Sequence, residues 1–477
     1  MWIGLTEGLE RTDNGACGPV RSNVKEIQQF PYLTLLWGLT FCGQRRNLGA
    51  SFHHGTTAES DMRRRSLLAL AATPALAPFL IACGGESAAR VEVFTWWTGP
   101  GEGEGLDELI KLFAKANPDI EFVNAAIAGG GGDQARAVLA SRLQASDPPD
   151  SFQGHAGAEL ADYIDSGVIE DLSELFDAEG WGDVLHPGLM ENLTQGGKIY
   201  AVPVNIHRAN LLWTNPTVLA DAGLEPATSW SELVEQAEKL GDGKIALSIG
   251  PLWTQLHLLE TVLLGELGAD AYAGLWTGET SWTDSATIDA LDTFTAVLGV
   301  SDVAQAAADW QPQLDKLIDG TAAYSVMGDW AYSYLATNKK LAYESDYGVV
   351  ETPGSAGVFD YLSDAFTLPA GAKNADSARA WLRVCASVEG QDAFNTKKGS
   401  LPARIDADQS LYTDYLGWNM SQWLDPATVI VGSLAHGAVA RPGWKTEIET
   451  ALGVFVTDGN ATTFAEAVTA AYKATSG

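Results

Sequence analysis

The stretch VEVFTWWTGPGEGEGLDELIKLFAKANPDIEFV, residues 91–123, decides the fold class. It begins and ends with strand-like apolar runs. The segment between them carries apolar residues at helical spacing: Leu106, Leu109, Ile110, Leu112 and Phe113. The pair Asn117-Pro118 ends this helix. Residues 134–157 repeat the pattern of helix, turn and strand. Such alternation predicts an α/β fold with parallel strands.

Two adjacent tryptophans, Trp96 and Trp97, stand where the first strand gives way to a glycine-rich loop with two glutamates. Strand alternation would send one ring into a core and the other to the surface. The glycines that follow favour a strand that has already ended, and we expect both rings to face a ligand. Flat rings suit the apolar C–H face of a pyranose, while polar groups around the rim suit its hydroxyls.

Composition narrows the class of protein. The chain has 477 residues, 46% of them hydrophobic, and this length favours two lobes over one simple core. A net charge of −32 predicts a solvated surface and excludes nucleic acid as a partner, because phosphate binding needs clustered Lys and Arg. The cysteines, Cys17, Cys42, Cys83 and Cys385, have no metal-motif spacing, so we expect no metal and no cofactor. Helical spacing around Cys385 predicts a buried position.

The amino-terminal part carries an export signal. Residues 62–83, MRRRSLLALAATPALAPFLIAC, combine a basic start with an apolar run too short to span a bilayer. The ending LIACGG resembles a bacterial lipobox, which implies that Cys83 becomes the lipid-modified first residue of the mature protein. Arg64-Arg65 loosely resembles a twin-arginine motif, and the export route stays open. Because export signals belong at the terminus, we interpret residues 1–61 as a non-native, disordered extension.

Residues 84–477 then form the folded and functional part of the chain. No linker divides them, which favours two α/β lobes whose segments interleave. A capping box is predicted at Ser229, with Glu232 three residues later opening a helix.

Several motifs together carry a family likeness. They are NPDIEF (117–122), YAVPVNIHRANLLWTN (200–215), GTAAYSVMGDWA (320–331) and KKGSLPAR (397–404). With the lipobox and the tryptophan pair, they resemble the extracellular solute-binding proteins of bacterial ABC sugar importers, family 1, most closely the glucose/mannose-binding branch. The resemblance implies a two-lobe periplasmic-binding-protein fold with a hinge and a ligand cleft. It also implies a non-enzymatic monomer outside the cytoplasmic membrane that delivers a monosaccharide such as glucose, mannose or galactose to a permease.

Candidate ligand-binding residues follow from loops after strands and from the likeness. They are Trp96, Trp97, Glu102, Gln153, His155, Asn205, His207, Trp253, Asp329, Lys398 and His436. Family spacing favours Glu102 over Glu104 and Lys398 over Lys397, while Trp310 is the alternative to Trp253. Asn205, His207 and Asn210 either face the cleft or serve the hinge, and Asp329 is either a ligand acceptor or a helix cap.

Two other functions remain open on the sequence. An oligosaccharide would fit the same aromatic platform. A glycoside hydrolase would need two carboxylates about 5–10 Å apart, for which Glu102 and Asp329 are the candidates.

Overall fold

The computed structural model describes residues 89–129 and 132–475. The predictions for residues 1–61, for the signal at 62–83 and for lipidation of Cys83 lie outside these residues. The strands are β1 Ala89–Phe94, β2 Ile120–Asn124, β3 Ser151–His155, β4 Thr194–Gln195, β5 Lys198–Ile199, β6 Ala201–Pro203, β7 Asn205–Arg208, β8 Leu211–Thr214, β9 Ile245–Ser248, β10 Ala322–Val326, β11 Gly348–Glu351, β12 Val358–Leu362, β13 Asp364–Thr367, β14 Leu401–Pro402 and β15 Val429–Gly432.

The helices follow in the same order along the chain. They are α1 Glu102–Ala116, α2 Asp133–Gln144, α3 Ala161–Asp165, α4 Ser173–Glu179, α5 Pro187–Leu193, α6 Pro216–Ala222, α7 Trp230–Gln236, α8 Leu252–Leu267, α9 Ala269–Thr277, α10 Ser285–Gly299, α11 Gln311–Ile318, α12 Ala375–Ala386, α13 Val388–Lys398, α14 Asp414–Leu424, α15 Pro442–Asp458 and α16 Ala461–Thr475. Within the described residues, no helix is both long and apolar enough to span a bilayer.

The first lobe is built on a five-stranded sheet in the order β2-β1-β3-β13-β6. Strand β1 pairs in parallel with β2 and β3, which confirms the parallel arrangement predicted for the opening stretch. Strand β13, from much later in the chain, joins this sheet antiparallel to β3 and β6. Helix α1 packs on α12 and α13, and Leu109 and Phe113 bury its apolar face.

The second lobe is built on a four-stranded sheet in the order β11-β8-β10-β9. Its apolar core includes Trp230, Leu259, Phe294 and Phe455, contributed by α7, α8, α10 and α15. The fold is therefore the predicted mixed α/β fold of two lobes.

A third sheet, β14-β7-β12-β15, carries the chain between the lobes. On the outward path the chain runs from β6 in the first lobe through β7 to β8 in the second. On the return path it runs from β11 through β12 to β13. Strands β7 and β12 pair antiparallel, with Leu362 opposite His207. These two crossing strands form the hinge region, and they bring polar residues to the junction of the lobes.

The loop before α1 explains the role of one glutamate. Gly101, at φ 78°, caps the helix in a conformation that favours glycine, and a Cβ there would lie 2.5 Å from Ser333 Cβ. Its backbone N–H donates to Glu104 Oε2 at 2.7 Å. Glu104 is thus occupied at the helix start, which leaves Glu102 as the acid available to a ligand.

Trp97 does not face a ligand, and that prediction is wrong. Its indole is 1% exposed and packs against Phe394 and Phe366, with ring centroids 4.4 and 5.4 Å away. The reason is that pairing continues past β1, because the Ile127 N–H donates to the Thr95 carbonyl at 2.9 Å. The backbone stays extended there, so alternation sends Trp97 inward and Trp96 toward solvent.

The predicted helix cap at Ser229 and the predicted burial of Cys385 are confirmed. The Ser229 hydroxyl oxygen accepts from the Glu232 N–H at 3.1 Å and caps α7. The Glu232 carboxylate accepts from the N–H and the hydroxyl of Thr228, and no full capping box is formed in the geometry of α7. Cys385 is fully buried.

The different positions of the two tryptophans predict different costs of truncation. Trp97→Ala should lower the free energy of unfolding by about 3–5 kcal/mol, as expected for a buried large-to-small change. Trp96→Ala should cost less than about 1 kcal/mol, because its ring is only partly buried. Urea denaturation followed by circular dichroism measures both. Equal destabilisation by the two changes would contradict this placement.

Candidate functional site

A cavity of about 540 Å³ lies between the two lobes. Its volume is within the range typical of small-ligand sites. Residues from the first lobe, the second lobe and the crossing strands line it. Several follow strands directly: Trp96 follows β1, His155 ends β3, Trp330 follows β10 and His436 follows β15. This edge, at the carboxyl ends of strands, is where open α/β sheets bind ligands.

Aromatic rings form much of the cavity wall. The rings are Trp96, His155, Tyr163, His207, Trp253, Trp310, Trp330 and His436. Centroids lie 5.3 Å apart for Trp96 and His155, and 5.0 Å apart for Trp330 and His436. Trp96 belongs to the first lobe, whereas Trp253 and Trp330 belong to the second, so flat apolar surfaces approach the cavity from both lobes.

Asp364, the first residue of β13, organises the polar floor. Its Oδ1 accepts from Gln153 Nε2 at 2.8 Å, and its Oδ2 accepts from Asn205 Nδ2 at 2.8 Å. His207 Nε2 lies 3.2 Å from Oδ2, and His155 Nε2 lies 3.6 Å from Oδ1. Burial acts to raise the pKa of Asp364, but the hydrogen bond and charge of His207 outweigh it and hold that pKa well below its usual value.

His207 is held between two carboxylates. Its Nδ1 bonds Asp329 Oδ1 on one side, and its Nε2 faces Asp364 on the other. Burial opposes the charged ring, yet the nearby Asp329 and Asp364 raise the pKa of His207 above its usual value. Asp329 itself is fully buried and also accepts from the Arg208 N–H at 3.1 Å. The ring is thereby fixed with one edge toward the cavity.

Two further acids face the cavity with partners. Lys398 Nζ lies 2.7 Å from Glu102 Oε1, and Lys398 is only 4% exposed. His155 Nδ1 lies 2.7 Å from Glu159 Oε2. Burial acts to raise the pKa of Glu159, but the charge and hydrogen bond of His155 and the charge of Arg136 lower it to about 2. The Glu159 carboxylate thus stays ionised and offers hydrogen-bond acceptors at the cavity wall.

Comparison with known proteins identifies the family. Residues 97–392 match the family described as bacterial extracellular solute-binding protein. The chain belongs to this family. It is 30% identical to a probable sugar-binding periplasmic protein of Rhizobium meliloti, over 76% of this chain and 89% of that one. It is 28% identical to the xylose/arabinose-binding protein XacG of Haloferax volcanii, over 76% and 80%.

Solved structures share the fold of this solute-binding protein. The receptor AcbH, described as preferring β-D-galactopyranose, superposes with a TM-score of 0.70 at 17% identity, over 82% of this chain and 99% of that one. A chitin oligosaccharide binding protein gives a TM-score of 0.71 at 18% identity, over 82% and 100%. These neighbours are two-lobe periplasmic binding proteins, and the family is extracytoplasmic and non-enzymatic.

Most of the residues chosen from the sequence lie at the cavity of the solute-binding protein. Those that line it are Trp96, Glu102, His155, His207, Trp253, Lys398 and His436, and Trp310 lines it as well. Gln153, Asn205 and Asp329 do not line it, contrary to expectation. They lie one layer behind and hold Asp364, His207 and the Trp96 backbone in place, the last through a 3.2 Å bond from the Trp96 N–H to Gln153.

The remaining open choices are also decided. Asn210 serves the hinge, because its amide bonds Ser355 Oγ, the Val358 carbonyl and the Asp360 N–H. Asp329 and Glu102 cannot act as a hydrolase pair across the cavity, because Asp329 is fully buried and does not line it.

The cavity-lining residues that sequence reasoning missed include Trp330, Asp364 and Glu159. Trp330 stands beside Asp329 in the quoted MGDW motif, and Asp364 is an acid inside the strand-like run DYLSDAFTL. A charged residue in such a run signals a buried acid that needs partners. Glu159 gave no comparable signal.

The prediction that no metal site exists rested on sequence spacing. Among the described residues, His257, Glu260 and His436 nonetheless bring three possible ligand atoms within 4.8 Å of one another beside the cavity. Burial lowers the pKa of His257 to about 4, and burial with repulsion from His257 lowers that of His436 well below its usual value.

The lowered pKa of Glu159 predicts an acid-sensitive contribution to stability. A carboxylate with a folded-state pKa of about 2 against an ordinary 4.5 stabilises the fold above pH 4.5, and this contribution disappears as the pH falls toward 2. The difference in unfolding free energy between wild type and Glu159→Gln should therefore shrink by about 3 kcal/mol over that range. The exposed Glu466→Gln serves as the control in urea titrations at several pH values. A difference that stays constant with pH would contradict the assignment.

Proposed function

We propose that this protein binds a sugar in the cavity between its lobes, most simply a monosaccharide such as glucose, mannose or galactose, and delivers it to an ABC transporter permease as a monomer. The observation that carries the proposal is the combination of tryptophan faces from both lobes with a floor of hydrogen-bonded carboxylates and imidazoles. The sugar-binding names of the relatives agree with it.

The energetics require both parts of the site. Covering about 100 Å² of a sugar face with an indole contributes about 2.5 kcal/mol at 25 cal/mol per Å². Micromolar affinity needs about 8 kcal/mol. Hydrogen bonds from sugar hydroxyls to Asp364 and Glu102, and from Lys398 to the sugar, must supply much of the rest. Charged groups suit this role because their hydrogen bonds are the stronger ones.

Delivery would follow from closure about the crossing strands. A ligand that touches both lobes favours the closed state by its contacts in that state. In the closed form the two lobes together present one surface, and a permease can recognise this surface and so distinguish the loaded protein from the empty one.

A short oligosaccharide is the second candidate. The cavity continues past His155 to the side chains of α2 and α15, where Asp133, Arg136, Lys445 and Glu449 line it. This outer part offers polar groups to a second ring. One structural neighbour is a chitin oligosaccharide binding protein, so oligosaccharides should be tested beside monosaccharides.

A thermal-shift screen over mono- and disaccharides, followed by calorimetry, tests the proposal. A true ligand at 100 times its Kd should add about 2.7 kcal/mol of stability. We expect glucose, mannose or galactose to give the largest shift. Shifts from disaccharides alone would replace the monosaccharide by an oligosaccharide, and no shift from any sugar, or turnover of aryl glycosides, would refute sugar binding by a non-enzyme.

Paired variants locate the ligand in the cavity. Trp96→Ala should weaken sugar binding about 70-fold, the equivalent of one lost stacking face. Lys398→Met should weaken it at least about 10-fold, because it removes a donor and leaves Glu102 without its partner. The adjacent, exposed Lys397→Met and the capping Glu104→Gln are matched controls and should leave the affinity unchanged.

We also propose that Cys83 carries the lipid that tethers the protein at the outer face of the cytoplasmic membrane, after removal of residues 62–82. The support is the order of basic cluster, apolar run and cysteine. In cells labelled with radioactive palmitate, wild type should be labelled and found with membranes, and Cys83→Ser should be unlabelled and released. Labelling that persists in Cys83→Ser would refute lipid attachment at Cys83. Peptides from residues 1–61 in the native protein would refute the interpretation of those residues as a non-native extension.

A further inference from the structure

A cluster of three side chains lies behind the second-lobe wall of the cavity. His257 and Glu260 are one turn apart on α8, and His436 reaches them from the loop after β15, 179 positions from His257 in sequence. His257 Nδ1 and His436 Nε2 are 3.5 Å apart. That separation is long for a hydrogen bond. It matches the distance between two ligand nitrogens of a tetrahedral zinc ion, which is about 3.4 Å when each zinc–nitrogen bond is about 2.05 Å.

The surroundings orient these atoms as metal ligands need. His257 Nε2 lies 2.7 Å from the Ala209 carbonyl, which only accepts, so Nε2 carries the proton and Nδ1 offers its lone pair to the cluster. Glu260 accepts from Ser433 Oγ and from the Ala435 N–H at 2.8 Å. Its Oε1 accepts from the Ser433 hydroxyl at 2.9 Å, and a carboxylate oxygen can use a second lone pair toward a metal.

A second buried acid interacts electrostatically with Glu260. Asp360, on β12, is fully buried, and neither of its carboxylate oxygens has a hydrogen-bond partner among the described residues. Burial and the charge of Glu260 raise the pKa of Asp360 well above its usual value, so the protein alone disfavours two ionised carboxylates here, whereas a divalent cation would favour them.

We propose that His257 Nδ1, His436 Nε2 and a Glu260 oxygen form a binding site for a divalent transition-metal ion of the zinc class, with water as the fourth ligand. Two imidazoles and one carboxylate are a donor set that zinc uses in proteins. His436 lines the sugar cavity, and the ion therefore enters from the cleft. The metal site shares His436 with the wall of the sugar cavity, but metal binding is measured without sugar, so either proposal can fail alone.

Metal titration of the untagged, chelator-treated protein tests this site in the absence of sugar. We expect one equivalent of Zn²⁺ to bind in calorimetry, and one equivalent of Co²⁺ to give the visible absorption of a four-coordinate ion. X-ray absorption of the zinc form should show two imidazoles. A protein that takes up no stoichiometric Zn²⁺ or Co²⁺, or a bound ion without two histidine ligands, would overturn the proposal whatever the variants do.

Variants assign the ligands. His257→Ala, His436→Ala and Glu260→Gln should each weaken Zn²⁺ binding by on the order of 100-fold or more, beyond the usual effect of an outer-shell change. His186→Ala removes a histidine outside the cluster and should leave binding unchanged. Undiminished affinity in His257→Ala or His436→Ala, with folding verified by circular dichroism, would place the metal elsewhere and overturn the assignment.

Discussion

A buried carboxylate at the junction of the lobes is the constraint on which the rest of the site depends. Asp364 is 3% exposed, and an uncompensated buried charge would be strongly destabilising. Its partners come from β3 and from the crossing strand β7, so satisfying this one charge fixes both strands relative to β13. His207 extends the same network to Asp329 in the second lobe. The hinge region is therefore polar and ordered where it meets the cavity.

This network also sets which residues touch a ligand. The side-chain amides of Gln153 and Asn205 donate hydrogen bonds to Asp364, and the Asp329 carboxylate bonds the His207 ring. Their hydrogen-bonding capacity is occupied inside the protein, while the groups they orient face the cavity. A rim that is fixed before binding loses less entropy when a ligand arrives, which is the advantage of a preorganised site.

The sequence predicted the α/β class, the opening parallel strands and the cavity position of Trp96, because local periodicity and loops after strands determine them. It could not predict which of two adjacent indoles turns inward. That choice depended on the hydrogen bond from Ile127 to Thr95, a pairing between segments that no local pattern reveals. Asp364 was missed for a similar reason, since its partners His155 and His207 lie far from it in sequence.

The pairing of charges in the cavity bears on the kind of ligand it suits. Asp364 is balanced by His207, and Glu102 is balanced by Lys398. A charged ligand would have to break or compete with these pairs in a low-dielectric setting, at considerable cost. A neutral polyhydroxy ligand can donate to the carboxylates and accept from Lys398 while both pairs stay intact. In these two pairs each charge already has its opposite charge beside it and can act as a strong hydrogen-bonding group, an arrangement that suits a neutral sugar.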